Sequence, residues 1–281
     1  MSYAQAKRER PEKAIKAMDT ELDNWHRNEG WKPVQCRDLT EEQRKLIING
    51  LDNFVEKFDQ NGNHIKDNVR VLVNGSQQMQ SMTGATHGAV CRIESLMLIL
   101  QLAVIKRGYL FRIDVVAAFL KTRMNDDVKH KWVRLSKDVS QRLVERWPEK
   151  YAQYLDRNGR ILVEMLKIGY GYKEAGHYFG ELMKDVLSDI GMCPCASDIC
   201  VWTYRRGNRW IDCGTTVDDV CGAADSDETV LWLHKEMESR VDEATVEMGD
   251  SITWVGMQVS VNGRGSGMSI EVFSISTLLM R

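Results

Sequence analysis

The sequence predicts an α+β fold, on three observations. Helix-like and strand-like patterns alternate irregularly rather than as repeated βαβ units. A two-residue turn signal, Asn61-Gly62, joins two β-prone runs. Three more strand-like runs, "ICVWTY", "RWIDCGTTV" and "VCGAA", follow one another with only turns between them. A 43% hydrophobic fraction supplies a core, and 28% charged residues is ordinary for a soluble protein. At 281 residues the chain suffices for one large domain or two modest ones.

Each element has its own signal. "SYAQAKRERPEKAIKAMDTELDNWHRN" reads as one helix, because Ala14, Met18, Leu22 and Trp25 share a face at i, i+4, i+8 and i+11. "DLTEEQRKLI" opens with a Thr-x-x-Gln capping box. "NFVEKFDQNGNHIKDNVRVLVNG" reads as a hairpin about Asn61-Gly62. "RIESLMLILQLAVIKRG" is apolar nearly all round and ends at Gly108, the pattern of a buried helix with a glycine C-cap. "YLFRIDVVAAFL" reads as a short strand holding a lone acid, Asp114. "EAGHYFGELMKDVLSDIG" is a second helix ending in glycine. After the three strands, Asp225-Ser226-Asp227-Glu228 caps a helix whose apolar face is Val230, Leu233, Met237 and Val241. "ITWVGMQVSV" reads as a final strand.

Composition excludes several classes. No run approaches the roughly 18 consecutive apolar residues of a membrane span. The charged opening lacks a signal-peptide h-region, so the expectation is an intracellular protein of the cytoplasm or nucleus, without a membrane. Seven scattered cysteines suit a reducing compartment. "CPCASDIC" (Cys193, Cys195, Cys200) matches no common structural zinc spacing, and free thiols are expected. Residues 106–173 carry 16 Lys/Arg against 8 Asp/Glu, whereas residues 212–250 carry 2 against 12. That asymmetry fits a phosphate-rich ligand beside carboxylate-bound metal, although charge alone favours two solvated faces of opposite sign.

The acids are the chemical oddity. Asp114 sits in an apolar strand, where burial is costly unless the charge is paired or metal-bound. Asp218 and Asp219 stand side by side in "TTVDDVCGAA", and like charges repel. A hard divalent cation removes both difficulties, since such ions take oxygen ligands and keep one or two protein carboxylates. Strand alternation predicts that one aspartate of the pair faces Asp114 while the other sits behind it or at the edge. Two metals about 4 Å apart would clamp the attacking and leaving oxygens of a phosphoryl transfer. A polar turn is the plain alternative for "VDD".

The surroundings of these acids resemble the reverse transcriptase of copia-type LTR retrotransposons. "FRIDVVAAFL" resembles their Asp-Val-x-x-Ala-Phe-Leu segment, and "TTVDDVCGAADSDETVLWLHKEMESRV" their Tyr-Val-Asp-Asp hairpin with its helix. "VEMLKIGYGYKEAGHYFGELMKDVLSDIGMCPCASDICVW" is similar to the Leu-x-Lys-x-x-Tyr-Gly-Leu-Lys-Gln segment, its helix and the Asp-x-Cys strand. The hairpin around Asn61, the "GAVCRIESLMLILQLAVIKRG" helix, "WVGMQVS" and the opening residues extend the likeness over residues 2–259 in unbroken order.

The resemblance implies a right-hand polymerase, with fingers and a palm whose antiparallel sheet carries the acids among packed helices, and with the thumb missing. It implies a helical lead-in over residues 1–39, fingers and palm over 40–260, and a truncated tail over 261–281. Asp114 and Asp218 would bind two Mg²⁺ ions, or Mn²⁺ in their place, with the Val115 carbonyl assisting and Asp219 completing the catalytic triad. A primer 3′-hydroxyl would attack the α-phosphate of a deoxynucleoside triphosphate, paired to an RNA or DNA template. Phe119 matches the steric gate against a ribose 2′-hydroxyl, and Arg70 the fingers arginine on the triphosphate. Tyr170, Gly171 and Lys173 match the segment beside nucleotide and template. Read without the resemblance, Phe119 is equally a core residue, Arg70 and Lys173 surface residues, and Tyr170-Gly171 a loop-to-helix turn.

Five positions depart from the family pattern. Thr216 stands for Tyr or His, Glu174 for Gln, Gly176 for Pro, and Val116 and Asn68 for Lys. Glu174 is expected to set a carboxylate near the nucleotide phosphates and oppose them. A polymerase fold that binds nucleic acid or protein without turnover is the alternative function. A metal-dependent nuclease is a weaker one, because no further acid or histidine attends the trio.

Overall fold

In the computed structural model, which describes residues 1–58, 63–79, 83–86, 88, 90–254, 257–263 and 267–274, Pro11 splits the expected N-terminal helix in two. Helix α1 (Tyr3–Glu9) stops at Arg10, whose φ −144°, ψ 64° is not helical. A proline disfavours the helical region for the residue before it, and itself fits the first turn of a new helix. That helix, α2 (Pro11–Arg27), buries Ala14, Met18, Leu22 and Trp25 as its periodicity requires. Strand β1 (Trp31–Pro33) and helix α3 (Glu41–Lys45) follow. Thr40 and Gln43 exchange both hydrogen bonds of the expected capping box. Strands β2 (Ile48–Phe58) and β3 (His64–Val73) form the hairpin, with Asn53 opposite Arg70. Its Asn61-Gly62 turn lies outside the described residues.

The chain continues through α4 (Ile93–Lys106), β4 (Tyr109–Val115), α5 (Ala118–Lys121), β5 (Trp132–Arg134), α6 (Lys137–Arg146) and α7 (Pro148–Tyr151). Next come β6 (Leu162–Met165), α8 (Ala175–Asp189), β7 (Cys193–Pro194), β8 (Val201–Arg206), β9 (Arg209–Thr216) and β10 (Asp219–Ala224). Last are α9 (Asp227–Val241), β11 (Ala244–Met248), β12 (Ser251–Trp254), β13 (Met257–Asn262) and β14 (Ser269–Ser274). The class is α+β, with largely antiparallel sheets and packed helices. No helix among the described residues is long and apolar enough to cross a membrane. All seven cysteines are free thiols.

Two compact units share the chain: Met1–His87 with Phe119–Tyr178, and Gly88–Ala118 with Phe179–Arg281. Both are discontinuous, and their limits cut across residues 40–260. The first holds a five-stranded sheet ordered β1-β6-β5-β2-β3, in which only β2 and β5 run parallel. The second holds a six-stranded antiparallel sheet, β11-β4-β10-β9-β8-β7, and a three-stranded one, β12-β13-β14. Its core joins Leu96, Ile99, Leu100 and Ala103 of α4 to Leu110, Cys221 and Ala223 of the large sheet and to Ile252, Trp254 and Val259 of the small one. Helix α9 buries Val230, Leu233, Met237 and Val241, and Ser226 caps it through the Thr229 N–H.

Three details differ from the sequence expectation. Arg107, not Gly108, adopts the left-handed conformation that ends α4 (φ 53°). Gly108 is needed for space instead, because a Cβ there would strike the Trp210 ring. "ITWVGMQVSV" makes two strands rather than one, with Trp254 opposite Met257, so that alternate residues Ile252, Trp254, Val259 and Val261 all reach the core. The strand read into "YLFRIDVVAAFL" stops at Val115, where Ala117 (φ 53°) turns the chain into α5.

Charge pairing absorbs part of both charged runs. Arg142 and Arg146 hold Asp19 and Asp23 of α2. The buried Asp212 pairs with Lys106 (2.6 Å) and Arg205. Helix α4 begins at Arg92 without a side-chain cap of its own. Asp198 supplies one from far along the chain, accepting from the Arg92 N–H (3.1 Å), the Ser95 hydroxyl (2.7 Å) and the Cys200 N–H (3.1 Å).

Glu21 joins α2 to β3, accepting from the Val71 N–H and the Trp25 indole, each at 3.0 Å. Burial pushes its carboxyl up to about 7, against those two bonds and the Arg70 charge. The unfolded chain loses this proton near 4.5 and the folded chain near 7, so the stability present below about 4.5 falls as pH rises through that window. The loss is on the order of 3 kcal/mol. Glu21→Gln, which keeps the acceptor oxygen, is expected to flatten urea-unfolding stability across the window; an unchanged slope would show that Glu21 is not the group responsible.

Candidate active site

The second unit assembles the carboxylates through strand register. Strand β4 lies between β10 and β11, and Asp114 pairs directly with Asp219 on one side and Thr245 on the other. Asp219 also pairs with Thr216 of β9, which leaves Val217-Asp218 as a two-residue hairpin turn. Such turns need positive φ at their first central residue, and Val217 supplies it at 55°. A β-branched side chain resists that region, at a cost of about 1–3 kcal/mol. The turn brings Asp218 over the end of β4, where its carbonyl accepts from the Val115 N–H (3.2 Å).

The outcome differs from simple alternation. Asp219 shares a sheet face with Asp114, and Asp218, freed from the strand pattern by the turn, joins them rather than sitting behind. One oxygen of each carboxylate lies within 4.8 Å of the other two. Three carboxylates this close form an all-oxygen donor set that fits a hard divalent ion such as Mg²⁺ or Mn²⁺. Val115 is held beside them by its bond to Asp218. Another close group, Glu56, His64 and Asp67, lies on the β2–β3 hairpin of the first unit; its histidine makes it a softer donor set.

Sequence reasoning missed Arg112, a cation that contacts two of the trio. Two residues before Asp114 on the same strand, it points to the same face. Its Nε and Nη2 both lie 2.8 Å from Asp219 Oδ1, Nη2 lies 3.6 Å from Asp114, and Nη1 lies 3.7 Å from Glu247 across the sheet. Burial pushes the Asp219 carboxyl up to about 6; Arg112 opposes that rise, and the charges of Asp114 and Asp218 add to it. Burial works against the Arg112 charge, but Asp219 and Asp114 outweigh it and hold its pKa above the usual arginine value. The Thr216 hydroxyl, beside Asp219 in register, is buried and has no hydrogen-bond partner among the described residues.

The first unit gathers the remaining sequence candidates. Phe119 and Tyr170 meet edge to face, with ring centroids 5.1 Å apart at 84°. The exposed Arg70 guanidinium lies 5.3 Å from the Tyr170 ring centre, a cation–π distance. The Tyr170 carbonyl accepts from the Val73 N–H (2.7 Å), fastening this segment to the end of β3. Gly171 has φ 94°, and a Cβ there would collide with the Val73 carbonyl oxygen. Lys173 is tied inward: its N–H donates to Gln78 Oε1 and its ammonium to the Gln78 carbonyl, both at 2.8 Å.

Glu174 corrects an expectation. It is 1% exposed and accepts from Gln78 Nε2 (2.8 Å), so it belongs to the packing of the 170–174 segment rather than to a phosphate-facing surface. Gln78 thereby organises Lys173 and Glu174 together, a role its isolated place in the sequence did not signal. No protein-family model matches the chain, and no curated protein matches it.

Gly171→Ala is expected to cost about 2–4 kcal/mol, because strain and collision coincide there. Chemical denaturation measures it, and a loss within experimental error would refute the tight approach to Val73.

Proposed function

We propose that this chain is the fingers and palm region of an RNA-directed DNA polymerase similar to those of copia-type LTR retrotransposons. The observation that carries the proposal is the meeting of Asp114, Asp218 and Asp219, two strands and a turn about a hundred residues apart in sequence, within 4.8 Å. The resemblance names the same three residues independently of any geometry.

In this reading Asp114 and Asp218 hold the divalent metal, with the Val115 carbonyl beside them and Asp219 completing the set. Metal bound there supplies Lewis acidity to phosphoryl oxygens and to an attacking hydroxyl. The chain's own contribution is positioning and fixed charge. Sheet register holds Asp114 and Asp219 at a set spacing, and the strained Val217 turn holds Asp218 over them. Arg70 offers a planar fork suited to triphosphate oxygens, steadied by the Tyr170 ring. Phe119, steadied by the same ring, provides the apolar surface that a 2′-hydroxyl would meet unfavourably. The substrates are deoxynucleoside triphosphates and a primer on an RNA or DNA template.

A second reading, a polymerase fold that binds nucleic acid without turnover, is favoured by Arg112, which already neutralises part of the cluster. The two readings separate in one experiment. Primer extension is expected in Mg²⁺ or Mn²⁺ and is expected to fall to background in Asp114→Asn and in Asp218→Asn. Undiminished extension by either variant contradicts the polymerase assignment. Nucleic-acid binding with no incorporation by the wild-type chain supports the second reading instead.

A further inference from the structure

We infer that Arg112 is the resident counter-cation of the carboxylate cluster and that it sets divalent-metal affinity there by holding Asp219 in a competing ion pair. The inference rests on the metal-binding reading of Asp114, Asp218 and Asp219. It concerns a residue that the reading itself does not use.

Three carboxylates converge on one guanidinium. Asp219 receives two of its nitrogens at 2.8 Å on a single oxygen, while Asp114 at 3.6 Å and Glu247 at 3.7 Å flank it. Asp218 completes the cluster from the turn. Register enforces the arrangement, since Arg112 stands opposite Cys221 on β10 and Glu247 on β11, one step along the same face from the Asp114–Asp219 pair. The Asp219 side chain is only 17% exposed, so water does little to screen it from Arg112.

Two consequences follow for an incoming cation. It must repel or displace a fixed positive charge a few ångströms away, and like charges at that range interact strongly in a partly buried site. It must also compete for Asp219, whose bound oxygen already accepts two charge-assisted contacts. Asp219 becomes available to the metal as Arg112 yields. The guanidinium lets the fold tolerate the clustered acids when metal is scarce. The metal must then be strongly attracted, as by a ligand's own phosphates, to enter fully.

The test compares the wild-type chain with Arg112→Gln and Arg112→Lys, using Mn²⁺ alone as the probe. Free Mn²⁺ is counted by its paramagnetic resonance signal, and thermal melting is recorded with and without the ion. Arg112→Gln is expected to bind Mn²⁺ at least about tenfold more tightly, because the competing charge is gone. It is also expected to melt lower than wild type without metal and to gain more from it. Arg112→Lys keeps the charge and is expected to bind Mn²⁺ as weakly as wild type. Equal or weaker Mn²⁺ binding by folded Arg112→Gln overturns the inference while leaving the metal site standing. Absence of millimolar Mn²⁺ binding in all three proteins overturns both the inference and the metal reading beneath it. If Arg112→Gln is unfolded in metal-free buffer, refolding by Mn²⁺ but not by sodium at equal ionic strength supports the competition. A chain that Mn²⁺ fails to restore contradicts it.

Discussion

Repulsion among Asp114, Asp218 and Asp219 is the constraint around which the second unit is arranged. Antiparallel register sets Asp219 directly opposite Asp114, where cross-strand like charges are destabilising. The turn adds a third carboxylate, with an oxygen within 4.8 Å of the other two. A fold selected for stability alone has little reason to do this. Arg112 offsets part of the cost.

The rest of the unit supports that placement. Helix α4 and the small sheet bury the far end of the same sheet face, around Cys221, Ala223 and Leu110, while the acids at the other end stay half-buried. Asp198 fixes the start of α4, and Gly108 lets the chain pass under Trp210 as it enters β4. The Val217 turn is then held by its own register and by the Val115–Asp218 hydrogen bond. Strain in a hairpin tip persists only where the surroundings over-determine it. In the first unit the same logic recurs on a smaller scale, where Gly171 and Gln78 hold Tyr170, Lys173 and Glu174 against the end of β3.

Local chemistry was legible in the sequence, and distant chemistry was not. The capping box at Thr40, the face of α9 and the strand runs up to β10 follow from periods and turn residues spanning a few positions. The acids stood out because a lone Asp among apolar residues and a paired Asp between strands are both costly without a partner. Arg112 carried a signal too, its two-residue spacing from Asp114, but its meaning depends on β10 and β11 flanking β4, which no local pattern specifies. The same applies to Asp198 capping α4 and to the parallel pairing of β2 with β5. Pro11 is different: its effect on α1 and α2 is local, and the strong apolar periodicity of α2 masked it. The resemblance alone set Glu174 near the phosphates, and its burial against Gln78, far away in sequence, carried no local signal.

The central claim is that the three carboxylates form one cation site. The most direct measurement is a crystal of the chain soaked with Mn²⁺ and a deoxynucleoside triphosphate, examined for anomalous scattering. A peak within coordination distance of both the Asp114 and Asp218 carboxylates is the expected result. A well-ordered cluster showing no peak there, with Arg112 still seated on Asp219, would contradict it.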